Sequence, residues 1–184
     1  MKKAFILTSI FMFFIIIIFL FHSKIHWLKS EEEIPKKYKT ELIFLAEKTL
    51  ETKDVPISSL VIYKNEIIGK GYNTVLANLN AGEHAEINAI SDAMKLKGIN
   101  EFNLLNRDSL YLITTFEPCP MCFGAIQMYN VQNVFFMKGK SLMSNISYDI
   151  KTVEYFLNRR TLSPASLQDS LFSLHPDYHK QKEK

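Results

Sequence analysis

The sequence has few cysteines, few glycines and little net charge for its 184 residues. Its two cysteines, Cys119 and Cys122, are too few for a disulfide framework and indicate a reduced pair or a metal site. No Gly-rich phosphate loop, histidine-rich tract or internal repeat is present. The net charge of +3 is too small to indicate a protein that coats nucleic-acid phosphates, although it allows a small basic patch.

The overall composition is that of a globular protein. Apolar residues make up 47% of the chain and charged residues 22%, which excludes a disordered chain. Once an apolar N-terminal segment is set aside, the remaining length suits one ordinary domain. We therefore predict an anchor or signal segment over residues 1–29 and one domain over 30–184, with its core at about 36–140.

A long apolar run opens the chain. Ala4 to Phe21 is a stretch of 18 residues without a charge, and as a helix it would span about 27 Å. That length predicts a transmembrane helix. The alternative is a cleaved secretory signal, but residues 22–27 offer no small-x-small cleavage site, and Trp27 would suit an interfacial anchor. An uncleaved membrane anchor is the favoured interpretation, and a secreted protein follows if the segment is cleaved.

The sequence allows either side of the membrane for the domain. Five lysines follow the apolar run within its flank and two precede it, so the positive-inside rule places the domain in the cytoplasm. A secretory interpretation of the same N-terminus places the domain outside.

Helical and strand patterns alternate along the domain. Apolar residues at spacings of three and four predict helices over 36–53, 83–97 and 118–129, and β-rich runs predict strands over 59–64, 67–72, 109–115 and 131–137. The first two strands read as a hairpin. This order predicts an α/β fold with a partly parallel sheet covered by helices on both faces, a three-layer α/β/α sandwich. Residues 149–159 fit either a helix or a last strand followed by a helix.

Two motifs that can bind metal lie where the chain enters a helix. His84-Ala85-Glu86 opens the second predicted helix, and Glu117-Pro118-Cys119-Pro120-Met121-Cys122 opens the third. In an open α/β sheet such turns meet at one edge, where ligands bind. Imidazole nitrogen and thiolate sulfur are ligands that zinc prefers, and three protein ligands leave a fourth position for catalysis.

Glu86 is the candidate proton carrier, because a carboxylate beside a metal-activated water can accept its proton and pass it on. Residues two apart point away from each other in mid-helix, so this role requires His84 to lie at the helix entrance. A thioredoxin-like redox pair is the alternative for Cys119 and Cys122 alone. The upstream His-x-Glu and the Glu-Pro setting argue against it.

On these motifs the chain resembles the cytidine/deoxycytidylate deaminase superfamily over about residues 36–140, and the branch with tRNA adenosine, guanine and fungal-type cytosine deaminases in particular. The resemblance implies that His84, Cys119 and Cys122 bind one zinc ion and that Glu86 shuttles protons. It also implies that Asn73 and the Ala85 N–H contact the substrate.

The resemblance further implies a mixed five-stranded sheet, a homodimer and hydrolytic release of ammonia from guanine, cytosine or adenosine. Because 74–79 contains no basic residue, we expect a free base or nucleoside as substrate. A tRNA adenosine-to-inosine editing enzyme is the alternative. A membrane-tethered zinc module without activity is an alternative of another class, but a purely structural site needs no Glu86.

Overall fold

A mixed sheet of four strands is the centre of the structure, a computed structural model that describes residues 33–158 and 166–174 together with Met12, Phe13 and Ile15. In the sheet, β1 is antiparallel to both β2 and β3, whereas β3 and β4 are parallel. The order across the sheet is β2-β1-β3-β4. The strands are β1 (Ser58–Tyr63), β2 (Glu66–Tyr72), β3 (Leu110–Phe116) and β4 (Asn133–Lys138).

Seven helices are described, and a 3-10 turn precedes β3. Because β3 and β4 are parallel, the helix between them crosses over one face of the sheet. Two short helices, the second and the fourth, have no counterpart in the sequence prediction. The helices are α1 (Lys36–Thr52), α2 (Val75–Asn78), α3 (Ala85–Lys97), α4 (Ile99–Leu104), α5 (Pro120–Met128), α6 (Leu142–Asn158) and α7 (Ser166–Ser173).

The central strand β1 is buried on both faces, and its side chains alternate between two apolar cores. Leu60 and Ile62 pack with residues of α1, whereas Val61 packs with residues of α3, α4 and α5. The Ser58 hydroxyl donates to the backbone carbonyl of Leu42 and so ties α1 to the sheet. The structure therefore has helix, sheet and helix layers, as the sequence predicts.

Two glycines of β2 let α3 approach the sheet closely. A Cβ atom on Gly69 would lie 2.2 Å from the carbonyl oxygen of Ala89. A Cβ atom on Gly71 would lie 2.2 Å from the carbonyl oxygen of Ala85 and 2.3 Å from the nitrogen of Ala89. Since real side chains do not tolerate such distances, the position of the start of α3 depends on these two residues.

The prediction of a five-stranded sheet is wrong, because the described residues form four strands. The chain after β4 takes the helical alternative as α6. Met143, Ile146, Ile150 and Val153 recur there at spacings of three and four, which is the period of a helix and not of a strand.

The structure also corrects the membrane predictions. Within the described ranges, none of the helices combines the length and the apolar composition that crossing a bilayer requires. The two longest, α1 and α6, have 17 residues each and carry charged side chains. The structure therefore gives no support to the predicted N-terminal transmembrane helix or to the predicted membrane-anchored localisation. Of the run 4–21, only Met12, Phe13 and Ile15 are among the described residues.

We predict that Gly71→Ala lowers the free energy of unfolding by about 1–3 kcal/mol, because the added methyl group forces α3 away from β2. Urea denaturation measures this. Gly124→Ala is the matched control: Gly124 lies in α5, and a Cβ there meets nothing within 4 Å. That control should be neutral or more stable by up to about 1 kcal/mol, since alanine is the better helix former. Equal stability of the two variants would contradict the close-approach argument.

Candidate active site

Two helix N-termini bring the metal-binding motifs together. His84 is the N-cap of α3, with φ −78° and ψ 156°, and Cys119 is the N-cap of α5, with φ −76° and ψ 168°. Both residues therefore have an extended backbone and precede the regular helix. His84 thus lies at the helix entrance, as the predicted role of Glu86 requires. Helix α5 begins at Pro120 rather than at the predicted Pro118, and a proline suits this first position because it needs no N–H donor.

The three predicted metal ligands form a tight triangle. The Nδ1 of His84 lies 3.6 Å from the Sγ of Cys119 and 3.5 Å from the Sγ of Cys122, and the two sulfurs are 3.5 Å apart. Tetrahedral zinc, with bonds of about 2.3 Å to sulfur and about 2.0 Å to nitrogen, separates its ligands by roughly 3.5–3.8 Å. Geometry and donor chemistry therefore both fit one zinc ion, and His84, Cys119 and Cys122 are positioned to bind it.

The pKa values of the two thiols are shifted in opposite directions. The hydrogen bond from Cys122 is the main cause that lowers the pKa of Cys119 to about 5; burial opposes this, and the backbone N–H of Cys122 reinforces it. The same hydrogen bond, burial and the nearby charge of Glu86 raise the pKa of Cys122. The pair therefore holds one proton between two sulfurs, and a divalent cation that binds both as thiolates displaces it.

Glu86 lies in the first turn of α3, next to the triangle. Its side chain is 4% exposed, and its charge acts on the Cys122 thiol. One carboxylate oxygen, Oε1, lies 3.3 Å from the hydroxyl of Thr114 on β3. A buried carboxylate beside the ligand triangle has the position that proton transfer requires.

Asn73 and Ala85, the two predicted substrate contacts, bond to each other. The backbone N–H of Ala85 donates to the Oδ1 of Asn73 at 2.9 Å, and both residues are buried. Asn73 directly follows β2, and its own backbone N–H donates to the carbonyl of Ile57. The bond to Ala85 thus orients the side-chain amide and turns its NH2 group away from α3.

Two carboxylates that the sequence analysis did not single out anchor the loop between Asn73 and His84. Asp54 accepts the backbone N–H groups of Leu76 and Ala77 at 2.7 and 3.1 Å. Burial raises the pKa of Asp54, but these hydrogen bonds, with that of the Thr52 hydroxyl, lower it by more, so the net shift is downward. The carboxylate of Asp54 therefore caps the N-terminus of α2 and holds this part of the loop.

Glu83 anchors the other half of this loop. Its carboxylate accepts hydrogen bonds from Thr74, Asn78 and Asn80, the first two at 2.5 Å, and these bonds lower its pKa. The available sequence signal was one acidic residue directly before His84 in a stretch that otherwise lacks charge. The loop is therefore rigidly connected to the first zinc ligand.

Hydrogen bonds of Lys140 with Glu117 and Pro118, together called the clasp, hold the loop before Cys119. Its ammonium group donates to the carbonyl of Glu117 and, at 2.7 Å, to that of Pro118. Its backbone N–H donates to the Glu117 carboxylate at 2.5 Å, and the Glu117 N–H donates to the carbonyl of Lys138. No sequence pattern pointed to this contact, because it joins residues from two strand ends.

A family model for the cytidine and deoxycytidylate deaminase zinc-binding region matches residues 32–138, more than half of the chain. The chain belongs to this deaminase family. A tRNA-specific adenosine deaminase from Buchnera aphidicola is 31% identical over 147 residues, which cover 77% of this chain and 86% of that protein. The chain spans about half of the tRNA-specific adenosine deaminase 2 of Xenopus laevis, to which it is 32% identical over 93 residues.

Solved structures share the fold. A tRNA:A34 deaminase matches with a TM-score of 0.50 and 22% identity over 56% of this chain and 76% of that one. The guanine deaminase of Bacillus subtilis matches with a TM-score of 0.50 and 24% identity over 69% of this chain and 80% of that one. With the family match and the ligand triangle, the chain is a zinc-dependent hydrolase that deaminates a nucleobase or nucleoside.

We predict that Lys140→Met weakens zinc binding about 10-fold, because groups that hold metal ligands in place contribute roughly 10–100-fold to affinity. Competition with a chromogenic chelator measures the zinc affinity of the full chain. Lys138→Met is the matched control: it removes the same charge two residues away, and that residue contributes a backbone carbonyl to the clasp. An equal loss in both variants would mean that charge, and not the clasp, is responsible.

Proposed function

We propose that this deaminase converts adenosine to inosine in RNA, with a tRNA as its substrate. The observation that carries the proposal is the run of curated relatives named tRNA-specific adenosine deaminase, of which the Buchnera aphidicola protein is matched over 86% of its length. This replaces the free base or nucleoside as the favoured substrate. The reaction is hydrolytic: water replaces the amino group of the purine ring, and ammonia is released.

The zinc ligands and Glu86 have separate roles in the proposed reaction. A zinc ion held by His84, Cys119 and Cys122 would lower the pKa of a bound water and so supply the nucleophile near neutral pH. Glu86 accepts a proton at its carboxylate, delivers it to the ring nitrogen and hands a proton to the departing ammonia. The burial of Glu86 supports this role, because few bulk waters can compete for its protons.

Asn73 is the proposed contact to the base. Because its Oδ1 accepts the Ala85 N–H, its NH2 group is available to donate to an acceptor on the ring. The Ala85 N–H positions this amide and lies at the same wall of the site. The bonds of Asp54 and Glu83 to the 74–83 loop keep that wall rigid.

Basic residues near the site bear on the proposed RNA substrate. The absence of a basic residue from 74–79 is the reason why the sequence predicts a free base or nucleoside as substrate. Lys138 and Lys140 lie at the end of β4, and the second of them touches the loop before Cys119. The ammonium group of Lys140 already donates to two carbonyls, so the exposed Lys138 is the proposed contact to a phosphate backbone.

We predict that the full chain forms inosine in tRNA and that Glu86→Gln lowers this rate by about 10²–10⁴-fold while zinc stays bound, because the variant cannot carry a proton. Inosine is measured by nucleoside chromatography, and zinc by elemental analysis. Glu47→Gln, the same change at an exposed position of α1, is the control and should leave both values unchanged.

The substrate panel should include free adenosine, guanine and cytosine beside the tRNA. Ammonia from a free base without inosine in RNA would overturn the tRNA substrate and leave the deaminase assignment intact. Release from none of them would overturn the proposed reaction itself.

A homodimer is part of the proposal, and α5 is its proposed contact surface. Three large apolar residues of this helix, Met121, Phe123 and Met128, are exposed. Phe123 also lines an open groove that extends to Val134 at the start of β4. An apolar surface of this kind on the zinc helix suits an isologous contact, in which each copy presents the same surface.

We predict that Phe123→Glu weakens self-association at least about 10-fold, since a buried charge replaces an apolar contact. Sedimentation equilibrium measures the dissociation constant. Phe44→Glu on α1 is the control, because Phe44 is 52% exposed where Phe123 is 54% exposed, and it lies on the opposite layer. A wild-type chain that is monomeric throughout would exclude the dimer.

A further inference from the structure

Two buried hydroxyls interrupt the apolar sheet face below α3. Ser59 of β1 and Thr114 of β3 are direct cross-strand neighbours, and both are 0% exposed. Their neighbours on the same face, Val61, Leu110 and Leu112, belong to the apolar core. Polar side chains in such a place require a partner, because burying a hydroxyl without a hydrogen bond is unfavourable.

The two hydroxyls differ in what they touch. The Oγ1 of Thr114 lies 3.3 Å from the Oε1 of Glu86 and 3.3 Å from the carbonyl oxygen of Ser58. The Ser59 hydroxyl has no hydrogen-bond partner among the described residues. Of this pair, Thr114 alone is therefore directed at the proposed proton carrier.

Thr114 is also a rigid donor. It lies in the middle of β3, which is paired with β1 on one side and β4 on the other. Its branched side chain has little χ1 freedom, and its single hydroxyl proton has two acceptors at equal distance, the Ser58 carbonyl and the Glu86 carboxylate. Glu86, in contrast, has a longer side chain whose carboxylate can take several rotamers.

We propose that Thr114 is a positioning residue that orients the carboxylate of Glu86 through its hydroxyl. The proposal rests on the proposed role of Glu86 in proton transfer. The hydrogen bonds of the Thr114 hydroxyl reach Glu86 and the Ser58 carbonyl and none of the metal ligands, so its proposed effect acts through Glu86. A misplaced catalytic group of this kind lowers the rate of the chemical step more than substrate binding.

The kinetic test compares Thr114→Val, Thr114→Ser and Ser59→Ala in the full zinc-loaded chain. We expect Thr114→Val to lower kcat about 10–100-fold while KM changes less than about twofold. Thr114→Ser keeps the hydroxyl and should restore kcat to within about threefold of wild type. Ser59→Ala removes the adjacent unpartnered hydroxyl and should leave kcat unchanged. Zinc content should be equal in all three.

The proposal is overturned by an unchanged kcat in Thr114→Val, by a loss that Thr114→Ser does not restore, or by a loss confined to KM. An equal loss of kcat in Ser59→Ala also overturns it, because it would mean that any change on this face of the sheet disturbs the site.

A second measurement does not depend on the substrate. In a double-mutant cycle, the midpoints of thermal unfolding of Thr114→Val, Glu86→Ala and the double variant are compared with wild type. If the hydroxyl bonds the carboxylate, the two single shifts are not additive, and Thr114→Val has a smaller effect once Glu86 is removed. Additive shifts overturn the proposal. If no substrate is found, the proposed function fails while this cycle still decides the contact.

Discussion

The close approach of α3 to β2 is the constraint on which the site depends. Because Gly69 and Gly71 have no side chains, the backbone of α3 lies directly on the strand at Ala85 and Ala89. This contact places the first residue before the helix, His84, within 3.6 Å of Cys119. Side chains at these two positions would push the start of α3 away from the strand and so disturb the ligand triangle.

The second organising feature is the meeting of two helix N-termini. The hydrogen bond with the Cys122 side chain is the main cause of the lowered pKa of Cys119, and the backbone N–H groups of Cys122 and Met121 at the start of α5 lower it further. The same arrangement brings Glu86 close to Cys122, so that a carboxylate and two thiols share a small buried volume. A zinc ion that binds both sulfurs as thiolates would bring a positive charge next to the buried carboxylate of Glu86.

The supports around the site are polar contacts, local in the case of Glu83 and between distant segments in the case of Asp54 and Lys140. Asp54 and Glu83 hold the loop on the Asn73 side, and Lys140 holds the loop on the Cys119 side. Each of these groups bonds mainly to backbone atoms or loop amides. The two halves of the site are therefore fixed by the fold as much as by the metal.

Local patterns in the sequence were enough to predict most elements and the three metal ligands. Helical and strand periods predicted the main helices and all four strands to within about two residues, and His84, Glu86, Cys119 and Cys122 were identified from ligand preference and spacing. These signals are local, because the side-chain period of a helix or strand appears in a short window of sequence. The ambiguous period after Lys140, together with a family expectation, led to a fifth strand where the chain forms α6.

Tertiary structure alone decided the distances in the ligand triangle and the contacts that support it. The bonds from Thr114 to Glu86, from Lys140 to Pro118 and from Leu76 to Asp54 join residues 22–28 positions apart. A contact between such residues depends on how strands and helices pack, and no periodic pattern in the chain records it.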